Sequence, residues 1–176
     1  MFMKRKTITI NYTEYNVYSE TKIDGDFIHE DENVYFENSV EVTGSIIVKN
    51  LACKAGRSIE AGRSIEAGEY IEAGGSIEAG GYIEAGGSMT IGLGIICGLS
   101  ITVRGILTVG KRVFAGVCNR REIEASEKEV KCSKLAKGEV VYGTLIETGE
   151  EEKENTATKE AMELLKKHGY EIVKKS

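Results

Sequence analysis

The chain has 176 residues, with 21 glycines, no proline, no tryptophan, 41% hydrophobic residues and a formal net charge of -5. That length holds one domain with an appended tail, and the hydrophobic fraction suffices for a core. No basic stripe supports direct nucleic-acid binding, no apolar run approaches membrane-spanning length, and glycine without proline points to repeated tight turns rather than a disordered chain.

Residues 1–33 are expected to form an N-terminal β cap. The stretch "TITINYTEYNVY" at 7–18 alternates like two strands paired about a turn. The basic start "MFMKRK" has no apolar signal core behind it, so a cytoplasmic location is expected. Acidic residues then crowd positions 14–45, with Lys22 alone against them. Residues 101–121 carry Arg104, Lys111, Arg112, Arg120 and Arg121 and no acid. The molecule should therefore be electrically lopsided along its length.

Residues 34–147 read as an all-β parallel β-helix. From 56 to 89 the chain repeats Ile-Glu-Ala-Gly every six residues. Ser-Ile-Glu-Ala alternates polar and apolar, as a strand with one buried face does, and the Gly pair that follows suits a corner. A helix would scatter the isoleucines around its circumference and carry a glycine each turn, at up to about 1 kcal/mol apiece. Strands this short bury nothing alone and must stack on copies of themselves. The large inward position runs every sixth residue from Cys53 through Ile59 to Val113. The small one runs from Ala55 through Ala61 to Ala115, and Val34, Val40 and Ile46 continue the frame upstream, with one residue inserted near Leu51. Three six-residue sides, as in known solenoids, give an 18-residue coil. Coils about 4.8 Å apart make residues 34–115 a prism roughly 20–25 Å tall.

Residues 148–156, "TGEEEKENT", read as a linker. Residues 157–176 read as a C-terminal helix and short strand. In "TATKEAMELLKKH" a capping Thr precedes Ala161, Leu164 and Leu165 on one face, with late lysines and Gly169 as a stop.

The order large-x-small, as in Ile77-Glu78-Ala79, reverses that of left-handed hexapeptide acyltransferases, where the small residue comes two positions earlier. It resembles instead the right-handed helix of bactofilins, polymer-forming bacterial cytoskeletal proteins. "VEVTGSIIVKN" at 40–50 and "EVVYGTLIETGE" at 139–150 are written in the same style. The resemblance covers residues 23–147 and lies in the core pattern. It implies a right-handed, three-sided solenoid and self-assembly into scaffolds or filaments, from which the expected N-terminal cap and C-terminal element depart.

Parity leaves the repeated glutamates outside. Eighteen-residue stacking predicts three outward columns: Glu60, Glu78, Ile96 and Phe114; Glu66, Glu84 and Thr102; Glu72, Thr90 and Thr108. Stacked like charges repel, with Arg57 and Arg63 at the first corners as partial offsets. Such columns are either a solvated surface that discourages sheet pairing or an acidic wall for a basic partner. Tyr70 and Tyr82 stand where serine is usual. Leu93, Ile96, Leu99 and Phe114 make an apolar patch of the kind that marks a contact, with the tail helix as its expected cover.

Little points to catalysis. His29 and His168 read as surface residues, outside the regular coils. Cys53, Cys97, Cys118 and Cys132 lack metal-ligand spacing. Carboxylates on a convex solvated face do not have their pKa raised, and "GGSMTIGLG" lacks a P-loop lysine. No enzyme activity, metal or cofactor is expected. The partner-binding residues expected are Glu60, Glu66, Glu72, Glu78, Glu84, Tyr70, Tyr82, Leu93, Ile96, Leu99 and Phe114. Their expected partner is a basic protein or a nucleic-acid-binding complex, bound by mimicry of nucleic acid in the manner of anti-CRISPR inhibitors. The alternative is a bactofilin-like self-assembling scaffold, a homo-oligomer.

Overall fold

Each Ile-Glu-Ala triplet is a three-residue strand whose two ends are buried and whose middle residue faces out. The computed structural model describes residues 6–10, 12–54, 56–118 and 121–149. They form an all-β parallel solenoid of about seven turns. The strands are β1 (Thr7–Ile10), β2 (Thr13–Tyr18), β3 (Lys22–Ile23), β4 (Phe27–Phe36), β5 (Val40–Val42), β6 (Ile46–Cys53), β7 (Ile59–Ala61) and β8 (Ile65–Ala67). They continue as β9 (Ile71–Ala73), β10 (Ile77–Ala79), β11 (Ile83–Ala85), β12 (Met89–Ile91), β13 (Ile95–Cys97), β14 (Ile101–Ala115), β15 (Glu129–Tyr142) and β16 (Thr144–Glu147).

Three strands complete one circuit. β7 pairs with β10, β8 with β11 and β9 with β12, each in parallel and 18 residues on, as in Ile59↔Ile77 and Ile65↔Ile83. Side one stacks β3, β5, β7, β10, β13 and the ends of β14 and β15. Side two stacks the starts of β4 and β6, then β8, β11, the starts of β14 and β15, and β16. Side three stacks β2, the ends of β4 and β6, β9, β12 and the middles of β14 and β15.

The core is the column of inward side chains. Every large inward residue from Ile59 to Val113 is at most 1% exposed, and burying each isoleucine is worth about 1.5–3 kcal/mol. The parallel stacking begins before Val34, because β2, β3 and the start of β4 already pair with the strands above them. Only β1 runs antiparallel, against β2. The lowest layer is aromatic: Phe27 meets Phe36 at 5.4 Å and Tyr18 edge-on at 5.1 Å.

The structure corrects four details of the sequence reading. Cys53 pairs with Ala73 and Leu51 with Ile71, so Leu51 fills the large position and Cys53 the small one. The corner between Val48 and Leu51 has one residue fewer than the usual three, and the stretch from Lys54 to Ser58 has two more, which leaves the net insertion of one. Second, the corner glycines from Gly62 to Gly110 do not adopt left-handed backbone angles, although Gly56 does, with φ 77. They are required for space: a Cβ on Gly80, Gly86 or Gly98 would lie 2.3, 2.0 and 2.0 Å from the glycine carbonyl oxygen one coil below.

Third, the position where serine is usual is not only outward-facing: at several corners the serine accepts a hydrogen bond from the coil above. Ser39 Oγ accepts from Ser58 N at 3.1 Å, and Ser58 Oγ from Ser76 N at 3.0 Å. Ser64 Oγ, itself buried, accepts from Tyr82 N at 3.3 Å. Each such bond is worth about 0.5–1.5 kcal/mol net and gives a corner amide its partner. Fourth, His29 is not a free surface group: it pairs with Val48 and packs its ring 4.6 Å from that of Phe27. The expected linker from 150, the C-terminal helix and strand of residues 157–176, and Ala55 lie outside the described residues.

Between Ala115 and Glu129 the chain leaves the coil, turning at Gly116 with φ 79. Consequently Ile101 pairs with Val130 rather than a residue 18 further on. The excursion is tied by Arg121, whose guanidinium donates to both oxygens of Glu127 at 2.8 and 2.5 Å. That fork, together with the Glu124 amide, holds the Glu127 carboxyl down at about 2.

Space rather than backbone angle is the requirement at the corners, so two glycines of the same corner should respond differently to substitution. Gly86→Ala puts a methyl against a backbone oxygen that cannot move away and should destabilise by about 1–3 kcal/mol. A Cβ on Gly68 has nothing nearer than 3.6 Å, so Gly68→Ala should stay within about 0.5 kcal/mol. Urea unfolding midpoints measure both; a Gly86→Ala midpoint equal to that of the parent would refute the close-approach account.

Candidate interaction surface

The strands fix the outward residues by register, and the columns follow. Side one presents Lys22, Glu41, Glu60, Glu78, Ile96, Phe114 and Tyr142 in successive coils. Side two presents Ile28, Ile47, Glu66, Glu84, Thr102 and Lys131. Side three carries Glu72 alone, between Ala52 and Thr90. Four of the five repeat glutamates thus stand in two neighbouring columns, either side of the corner that holds Arg63 and Tyr82.

Among the described residues, none of these five glutamates forms an ion pair, and neither do Arg57 and Arg63. The nearest paired acids are Glu41, 3.0 Å from Lys22 Nζ, and Glu69, 3.6 Å from Lys49 Nζ. Registered carboxylates one coil apart sit about 4.8 Å from each other along the column. Two unit charges near that spacing repel by roughly 1 kcal/mol even in water. A cation placed between them relieves that repulsion.

Tyr82 is part of this corner, because its hydroxyl donates to Glu66 Oε1. That bond, with partial burial and the Glu66 and Glu84 charges, raises its pKa. Tyr70 behaves differently. Its amide donates to Asn50 Oδ1 at 2.9 Å, and its ring lies over Gly87, where a Cβ would meet Tyr70 Cε1 at 3.0 Å. Asn50, 2% exposed, also donates to Asn33 Oδ1 at 2.8 Å and to Glu69 Oε2 at 2.9 Å. Tyr70 thus belongs to a structural corner on the far side of side two, away from Tyr82.

A groove of about 340 Å³ runs along side two, lined by Glu30, Ile47, Glu66, Glu84 and, at its upper end, Arg104. Acid and aliphatic carbon meet there, because Ile28 and Ile47 continue the same column downward and Ile28 is 51% exposed.

Comparison with protein-family models, with curated proteins and with solved structures finds no match. The likeness to bactofilins therefore rests on the core pattern alone, and the surface has to be read from its own chemistry.

The apolar patch is real but differently bounded. Leu93 and Ile96 are exposed, Leu99 and Phe114 are half-buried, and the column continues to Tyr142, 45% exposed. Val117 and Val141 flank it around a hollow that also touches Phe114 and Cys118. Sequence spacing missed Tyr142, because the excursion before β15 breaks the 18-residue count. It missed Glu41 for the same kind of reason, since that coil has 19 residues. Among the described residues no group of three or more His, Cys, Asp or Glu is placed to hold a metal ion.

Cys53, Cys97 and Cys132 are core fillers. Cys97 Sγ donates to Gly81 O at 3.0 Å, and burial pushes its thiol up to about 12. Burial likewise takes Cys53 and Cys132 to about 11, while Cys118 is half-buried on the excursion. A thiol reagent that attacks thiolate should therefore find one fast site, Cys118, in native protein at pH 8. The other three should react only on unfolding. Mass mapping of two or more rapidly modified cysteines in the native state would contradict this assignment.

Proposed function

We propose that this chain is a non-catalytic β-solenoid binding protein that docks a basic protein partner on the corner between sides one and two. The observation that carries the reading is the pairing of Glu78 over Glu60 with Glu84 over Glu66, four carboxylates in registered columns with no ion-pair partner among the described residues. Tyr82 adds beside them an aromatic anchor, a residue type enriched among those that dominate binding energy, and the Ile28–Ile47 strip adds apolar area. The partner class that fits is a protein whose own groove is built for phosphates. Phosphates of one DNA strand advance about 3.4 Å each and the carboxylates about 4.8 Å, so the columns imitate density of charge rather than its spacing. An inhibitor of a nucleic-acid-binding complex, of anti-CRISPR type and acting in the cytoplasm, is the role this chemistry suits. A right-handed winding belongs to the same reading, in keeping with the general handedness of parallel crossovers.

The partner captured from bacterial lysate on immobilised protein is then titrated directly. Glu66→Lys with Glu84→Lys should weaken binding at least about ten-fold, close to 1.4 kcal/mol, and binding should fall as salt rises. Glu72→Lys, on side three, should cost less than about three-fold. Equal losses from the two sides, or no loss at all, would end the proposal.

A second reading, a bactofilin-like self-assembling scaffold, draws on the upper end, where sides three and one of β15 have no strand above them among the described residues. It predicts light scattering that grows with protein concentration; a constant mass from micromolar upward is incompatible with it.

A further inference from the structure

The upper end of the solenoid is an unfinished core. Leu135 stacks on Leu107, Val140 on Val113 and Leu145 on Val130, one residue from each side. The three residues below are 0% exposed, whereas Leu145 is 37% exposed and Leu135 and Val140 are only partly buried. Beside them the upper backbone edges of β16 and of β15 on sides three and one have no partner among the described residues. Solenoid ends of this kind need a covering element with a polar outer face.

We propose that the cover is the chain's own C-terminal segment, residues 157–173, laid across the Leu135–Val140–Leu145 triangle. The path of the chain argues for it. Thr148 N donates to Cys132 O at 2.9 Å and Gly149 N to Ser133 O at 3.0 Å, so at Gly149 the backbone follows the upper rim toward Lys134. Seven residues, 150–156, span up to about 23–25 Å, enough to turn back over the end. Twelve residues of helix are about 18 Å long, a length that crosses the prism. At helical spacing Ala161, Leu164 and Leu165 would fall on one apolar face, leaving Lys159, Lys166 and Lys167 for the outer side. Charge agrees as well: Glu150, Glu151 and Glu152 follow directly on a rim that carries Lys131, Lys134, Lys137 and Arg104. Both surfaces offer apolar area, but the open triangle adds the unpaired backbone that the Ile96–Phe114 column on side one lacks, and this decides between the two.

Hydrogen exchange on the full chain tests the assignment. In the parent, amides of 134–142 and 144–147 should be protected. Leu164→Glu with Leu165→Glu should speed their exchange at least about ten-fold while β7–β13 stay protected. Unchanged exchange overturns the proposal, as does protection that rises with protein concentration, which would mean a second copy on that end. Should the double variant disturb β7–β13, a photo-crosslinking p-benzoylphenylalanine in place of His168 answers independently. A crosslink within one chain to residues 134–147 supports the cap; one to residues 93–118, or to another chain, refutes it.

Discussion

Backbone stacked on backbone every turn, about 4.8 Å apart, is the constraint from which the rest of this molecule follows. At the corners the carbonyl of one coil lies so near the next Cα that only hydrogen fits, as the 2.0 Å clearance at Gly86 makes plain. The glycines after Ala61, Ala79 and Ala85 are therefore packing residues. Once corners are tight, the interior admits one large and one small side chain per strand, and isoleucine with alanine satisfies it. The outward residue is left without any packing duty, which frees a whole column to be charged.

The same stacking creates a debt of polar groups at each corner, and the sequence settles it with short side chains. Ser39, Ser58, Ser64 and Ser88 each accept from the backbone amide one coil above. Where the corner is shorter, Asn50 does the work of two residues, joining Asn33, Glu69 and the Tyr70 amide. These devices are why tyrosine at 70 and 82 reads so differently. Both donate their amides to the corner below, but Tyr82 then sends its hydroxyl out to Glu66, whereas Tyr70 folds over Gly87.

How much of this was legible beforehand depends on whether a residue answers to parity or to three-dimensional closeness. Parity alone assigns Ile59 inside, Glu60 outside and Ala61 inside, and register then sets Glu66 under Glu84, so the solenoid and its columns could be read directly. Serine's role could not be read so, because Ser64 meets its partner Tyr82 only across a full coil. Cys53 was placed in the wrong inward position because the short corner before it and the long one after it nearly cancel in residue count. Tyr142 escaped notice because an excursion of variable length precedes it. His29 reads as a surface residue outside the regular coils because its ring companions, Phe27 and Tyr18, are recognisable only once the lowest coil has closed.

The aromatic layer formed by Tyr18, Phe27 and Phe36 has one more implication. A repeat this uniform is ambiguous about its own phase: sliding one strand by six residues still leaves every isoleucine inward and every glutamate outward. Nothing in the IEAGG coils penalises that slip strongly. The aromatic floor can be built in only one way, with Asn33 and Asn50 aligned beside it. It therefore acts as the origin of the coordinate system, and the identical coils above inherit their alignment by counting from it.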